Sequence, residues 1–94
     1  MDTTCDFLDA LKYKTGIASD FGLAEYLQIT RSTVSAYRLK RCTFSDETAL
    51  HVADLLGLNR GYVLACVHAE KNRNDDKAYD EWEKIAALLP IKAA

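Results

Sequence analysis

The 94-residue chain has little that would interrupt a helix: one proline and four glycines. Runs of alternating β-branched residues are missing, which excludes sandwiches and barrels and leaves an all-α fold as the expectation. No segment approaches the roughly 18 apolar residues of a membrane span. The opening MDTTCDFLD lacks the basic and apolar regions of a secretory signal, so a cytoplasmic protein is expected. Cys5, Cys42 and Cys66 are odd in number and have no close pairing, which argues against a disulfide framework and fits a reducing compartment. Cys66 and His68 do not have the CxxC or HxxxH spacing of zinc sites, so no metal or other cofactor is expected. A local nucleophile–base pair is missing too, and so short a chain has little room for a substrate cleft. Neither an enzyme nor a small-molecule ligand is expected.

An excess of basic residues is also lacking. Twelve Lys and Arg face fourteen Asp and Glu, for a net charge of −2. Taken alone, that total argues against nucleic acid as a partner. The distribution argues the other way. From Tyr26 to Ser45 there is no acid, and Arg31, Arg38, Lys40 and Arg41 lie in that stretch. Asp75, Asp76, Asp80, Glu81 and Glu83 gather near the C-terminus. A local basic face on an acidic body is an electrostatic footprint for DNA.

Nearly half of the residues are apolar, enough for one core and hence one small globular domain. The informative stretch is DFGLAEYLQITRSTVSAY, Asp20 to Tyr37. Leu23 and Leu27 share one helical face, and Ala24 is small where two helices would cross. Gln28-Ile29 turns the chain, and the Thr30 side chain is placed to cap a second helix. Val34 and Tyr37 point back to the core. Arg31, Ser32, Thr33, Ser35 and Ala36 are left facing outward, small or hydrogen-bonding, as a helix end entering the major groove requires.

LAEYL, ITRSTVSAY, the basic loop after it and SDETALHVADLLGL together resemble the lambda-repressor and Cro-like family, also called the xenobiotic-response-element family. The likeness covers Ser19 to Leu64. The continuation YRLKRCTFSDETALHVADLLGLNRGYVL is similar to small phage and prophage repressors. The chain departs from the family pattern at two places. Gln28 stands where the family usually has a turn glycine, so a left-handed non-glycine residue is expected there, at a cost of about 1 kcal/mol. Leu39-Lys40 replaces the usual Asn-Gly or Lys-Gly after the second helix.

Six helices are expected. The first covers residues 3–15, capped by Thr3 or Thr4, with Phe7, Leu8 and Leu11 inward and Gly16 at its end. Ser19 caps the second, in which Gly22 is a weak point by helix propensity. The third runs from Arg31 to about Leu39, and Phe44 in the following loop plugs the core. Ser45 opens the fourth, with Leu50, Ala53, Leu55 and Leu56 on its buried side and Gly57 stopping it. Asn59 opens the fifth, which ends near Arg73. The sixth runs from about Asp76 to Leu89, with Pro90 after it. The chain therefore divides into a DNA-binding domain, 1–73, with its helix-turn-helix at 20–39, and a C-terminal helix, 74–94, added to the family's usual five.

The resemblance implies a sequence-specific regulator of transcription, of the phage repressor kind. Two copies would set their third helices in successive major grooves of an inverted-repeat operator in double-stranded DNA. Arg31 is the first choice for a bidentate contact to guanine, with Ser32, Thr33, Ser35 and Ala36 meeting further base edges. Ser19, Thr30, Arg38, Lys40, Arg41 and Thr43 are expected at the DNA backbone, where they fix register. Tyr79, Trp82, Ile85, Ala86 and Leu89 lie at i, i+3, i+4 spacing on the sixth helix, and this Trp82 stripe has two readings. It covers the domain's own core, or Tyr62, Val63, Val67, Trp82, Ile85 and Leu89 form a homodimer interface, where aromatic residues are enriched. Two alternatives to the repressor reading remain: an antitoxin on the same fold, whose C-terminal helix binds a toxin, and a protein-interaction module that has lost DNA binding.

Overall fold

A computed structural model describes residues 2–94; the first residue of the 1–73 segment lies outside it. Six helices follow in order: α1 Thr4–Thr15, α2 Asp20–Leu27, α3 Arg31–Arg38, α4 Asp46–Leu56, α5 Arg60–Lys71 and α6 Asp76–Leu88. The described residues contain no strand and no helix long and apolar enough to cross a membrane.

Each helix begins where a side-chain oxygen can accept from an otherwise unpaired backbone N–H. Thr3 caps α1 in a reciprocal box: Asp6 N–H donates to its Oγ1, and its own N–H donates to the Asp6 carboxylate at 2.9 Å. Ser19, Thr30, Ser45, Asn59 and Asp75 cap the other five.

α5 is the most deeply buried helix and packs against α4 and α6. It buries Tyr62, Val63, Ala65, Cys66, Val67 and Ala69, positions spread around much of its circumference. α1 contributes Phe7, Leu8 and Leu11, as expected, and Phe44 is fully buried in the loop before α4. Each such side chain contributes about 1.5–3 kcal/mol on leaving water. The inner face of α4 is rotated from the sequence expectation. Ala49, Val52 and Ala53 are fully buried, whereas Leu50, Leu55 and Leu56 are only half-buried. Small residues at i, i+3 and i+4 let α4 lie close to its neighbours, and the leucines fill its flanks.

Gly22 is not the weak point that propensity suggests. A Cβ there would come within 2.7 Å of the Ile17 methyl Cγ2, so the glycine lets the link before α2 lie against that helix.

α6 packs along α5 and joins the same hydrophobic core, which is therefore continuous across residues 73 and 74. Ala86 is buried, and the Trp82 ring stacks on His68 with centroids 4.7 Å apart. His68 Nε2 lies 3.0 Å from the Asp46 carboxylate, so α4, α5 and α6 meet at one imidazole. α6 stops at Leu88. Leu89 is extended, the conformation favoured for a residue before proline. The tail then returns to the start of α5. Asn59 N–H donates to Ile91 O at 2.9 Å, and Ala93 N–H donates to Gly57 O at 3.0 Å.

These contacts correct part of the expected dimer surface. Tyr62, Val63 and Val67 belong to the protein's own core, with 7%, 0% and 0% of their surface exposed, and offer a second copy almost nothing. Trp82 and Leu89 are half-buried against that core. Of the six residues only Ile85 stands well exposed.

Gln28 adopts the left-handed conformation, with φ 57° and ψ 43°. Its N–H donates to Glu25 O, and Ile29 N–H donates to Ala24 O, which closes α2 in a Schellman motif. Gln28→Gly removes the Cβ penalty and is expected to stabilise the fold by about 1 kcal/mol in urea denaturation, with the far-UV spectrum unchanged.

Candidate nucleic-acid interface

The interface candidate is α2, the turn at Gln28 and α3. Thr30 begins α3. Its Oγ1 accepts from Thr33 N–H at 3.1 Å and lies 3.0 Å from Ser32 Oγ and 2.8 Å from Thr33 Oγ1. Three hydroxyls are thus linked at the positive end of a helix, beside the exposed Arg31. Ser35 is exposed and Ala36 half-buried further along α3. On the opposite side Val34 and Tyr37 are buried, and the Tyr37 ring meets Phe44 edge-on at 5.1 Å. Ser19 is exposed at the start of α2, where it caps Gly22 N–H at 3.0 Å.

The exit from α3 is also a Schellman motif, and Lys40 occupies its left-handed position with φ 60°. Lys40 N–H donates to Tyr37 O and Arg41 N–H donates to Ala36 O at 2.9 Å. The backbone glycine of the family pattern is therefore replaced by a cation in the same conformation. Lys40 and Arg41 are both exposed, and Thr43 is half-buried just beyond.

Arg38 does not fit the expected role at the DNA backbone. Its Nε and Nη2 donate to the two Asp20 carboxylate oxygens at 3.1 and 3.0 Å, and Nη1 lies 2.9 Å from Asp9. Lys12 Nζ reaches the same Asp20 at 3.0 Å. This network ties α3 to α2 and α1, and Arg38 has its guanidinium satisfied within the fold. The hydrogen bonds from Arg38 hold the Asp20 carboxyl below its ordinary range, with Lys12 adding to the effect. The Arg38 guanidinium is pushed further up by its hydrogen bonds to Asp20 and then Asp9.

Three side chains given no interface role in the sequence also belong to this region. Phe21 and Leu39 are large, apolar and exposed, at 55% and 61%, and they share a shallow groove with Ser19, Ser35 and the Asp20–Arg38 pair. The Arg31 guanidinium carbon lies 4.6 Å from the centre of the Phe21 ring. Arg73, just after α5, donates from Nη2 to Lys40 O at 3.3 Å and so brings a third cation to the loop after α3. Exposed aromatic residues look like ordinary helix surface in a sequence, and Arg73 lies too far along the chain for any local pattern to associate it with Lys40.

A short helix, a left-handed turn and a second helix that buries two residues and presents its N-terminal side chains form a helix-turn-helix unit of the DNA-binding kind. A family model, the bacteriophage CI repressor helix-turn-helix domain, matches residues 6–65, and the chain belongs to that family. The match runs from α1 into α5 and leaves α6 outside. No curated protein and no solved structure matched the chain. This is a DNA-binding domain of the repressor type.

Because the Asp20 carboxyl titrates lower folded than unfolded, its contribution to stability is fully present above its ordinary value of 3.8 and is lost as pH falls through the lowered folded value. Asp20→Asn is therefore expected to flatten the stability–pH curve below about pH 4 in urea titrations. Arg38→Met is expected to reduce stability while leaving the salt dependence of DNA binding unchanged.

Proposed function

We propose that this protein is a sequence-specific repressor that binds an inverted-repeat operator in double-stranded DNA as a homodimer, in the cytoplasm of its host. The observation that carries the proposal is the exposed N-terminal end of α3, with Arg31 and linked hydroxyls and no acid from Tyr26 to Ser45. In this reading Arg31 makes the bidentate contact to guanine O6 and N7. Ser32, Thr33, Ser35 and the Ala36 methyl meet neighbouring base edges. Lys40, Arg41 and Arg73 neutralise phosphates, and Ser19, Thr30 and Thr43 hydrogen-bond to the backbone. Repression follows from occupying promoter DNA.

Selection of bound sites from random duplexes, then titration across salt concentrations, tests this reading. With about three phosphates neutralised by each subunit, the log–log salt slope of a dimer is expected near −5. A slope near zero on the best site would overturn the proposal. Arg31→Ala is expected to cost about 1–3 kcal/mol on the operator and relax preference at one base pair of each half-site. Arg41→Ala is expected to weaken operator and random DNA alike, with the slope reduced by about one per subunit.

One α3 reads only a few base pairs, too few to choose an operator from a genome, whereas two half-sites on one dimer roughly double the recognition free energy. The two-fold contact is assigned to the outer side of α6, where Ile85 and Leu88 lie one turn apart and are 41% and 84% exposed. Ile85→Lys is expected to sediment as a folded monomer and to bind the operator more weakly. A variant that remains a dimer would put the contact elsewhere.

A further inference from the structure

We infer that Phe21 is a positioning residue for base reading: its ring holds the Arg31 guanidinium over α2 before DNA arrives, and so sets which base edge Arg31 meets. The inference rests on the operator-binding reading given above and extends it to a residue outside α3.

Arg31 is the first residue of α3 and is exposed. An exposed arginine has several rotatable bonds, and aligning it with a guanine edge costs conformational entropy on binding. Here the freedom is already reduced. The guanidinium carbon stands 4.6 Å from the Phe21 ring centre, within the range of a cation–π contact. The hydroxyls around it are engaged with one another, Thr30 with Ser32 and with Thr33, and no ion pair involves Arg31 among the described residues. Of the two acids on α2, Asp20 is committed to Arg38 and Lys12, and Glu25 makes no ion pair with Arg31 among the described residues. The Phe21 ring is thus the partner that orients Arg31.

The exposure of Phe21 supports the same conclusion. The residue leaves 55% of its surface in water and is not part of the buried core. One ring face is spent on the guanidinium, which makes no side-chain hydrogen bond among the described residues, so its N–H fork is left free to donate bidentately. The ring lies at the start of α2, a helix fixed to α3 by the Asp20–Arg38 pair, so the platform and the reader move as one body. A leucine at position 21 would keep apolar bulk but lose the negatively polarised ring face.

The test compares the wild type with Phe21→Leu, Phe21→Trp, Arg31→Ala and the double variant Phe21→Leu/Arg31→Ala, each checked for folding by circular dichroism. NMR of the free wild-type protein is expected to show ring-current-shifted Arg31 Hδ and Nε–H signals, retained in Phe21→Trp and lost in Phe21→Leu. On the selected operator, Phe21→Leu is expected to bind about two- to fivefold more weakly. It should relax preference at the same base pair as Arg31→Ala, with Phe21→Trp restoring both. The double variant is expected to be no worse than Arg31→Ala. Unshifted Arg31 signals, or a Phe21→Leu variant with wild-type preference on an enriched site, would overturn the role of Phe21 alone. If no site is enriched by the wild type, the operator-binding reading fails and takes the specificity role with it.

Discussion

α3 is held to the body of the protein by two buried side chains, Val34 and Tyr37, and the seating of Tyr37 against Phe44 is the contact on which the interface depends. A helix of eight residues is too short to persist by itself in water. Its geometry must come from what it packs against. Phe44 reaches the core from the loop after α3, and its ring also stacks on Phe7 of α1 at 6.4 Å. The same three rings therefore fix α3, the loop that leaves it and α1. The outward side chains of α3 are free to be polar because so few of its positions are needed for packing.

Charge is arranged on the same principle. The chain is acidic in total, yet its cations are divided between two tasks. Arg38 and Lys12 are spent inside the fold on Asp20, with Asp9 also on Arg38, and together they brace α1, α2 and α3. Arg31, Lys40, Arg41 and Arg73 are left for the surface near α3. Burial decides the division. Arg38 is on the side of α3 that faces α2, where a charge needs a partner, while Lys40 and Arg41 follow the helix into solvent. Lys40 does double duty: it accepts left-handed strain to close α3 and carries a charge at the same point.

α6 lies outside the family match, yet it is not a detached appendage. Ala86, Trp82 and Leu89 seal one side of α5, and residues 91 and 93 hydrogen-bond back to residues 57 and 59. α5 is thereby apolar over much of its circumference without exposing that surface. What α6 leaves outward, Ile85 and Leu88, is what the proposed two-fold contact uses.

The element order, the caps at Ser19, Thr30, Ser45 and Asn59 and the left-handed turn at Gln28 were legible in the residues, because caps, turn residues and 3.6-residue periodicity act over a few positions of chain. The resemblance of LAEYL and ITRSTVSAY to repressors placed α2 and α3 for the same reason. The partners of long side chains were not legible. Arg38 read as a phosphate ligand until the fold set Asp9 and Asp20 beside it, 29 and 18 residues away in sequence. Tyr62, Val63 and Val67 read as a surface stripe until α6 and the core enclosed them. Nothing in the sequence set Phe21 apart before the fold placed Arg31 above it, and Arg73 read as a helix end until the fold set Lys40 beside it. Local sequence determined where each helix starts, turns and stops. Which cation is free, which apolar face is covered and which ring lies under Arg31 depend on residues brought together by packing, and only the tertiary structure decided them.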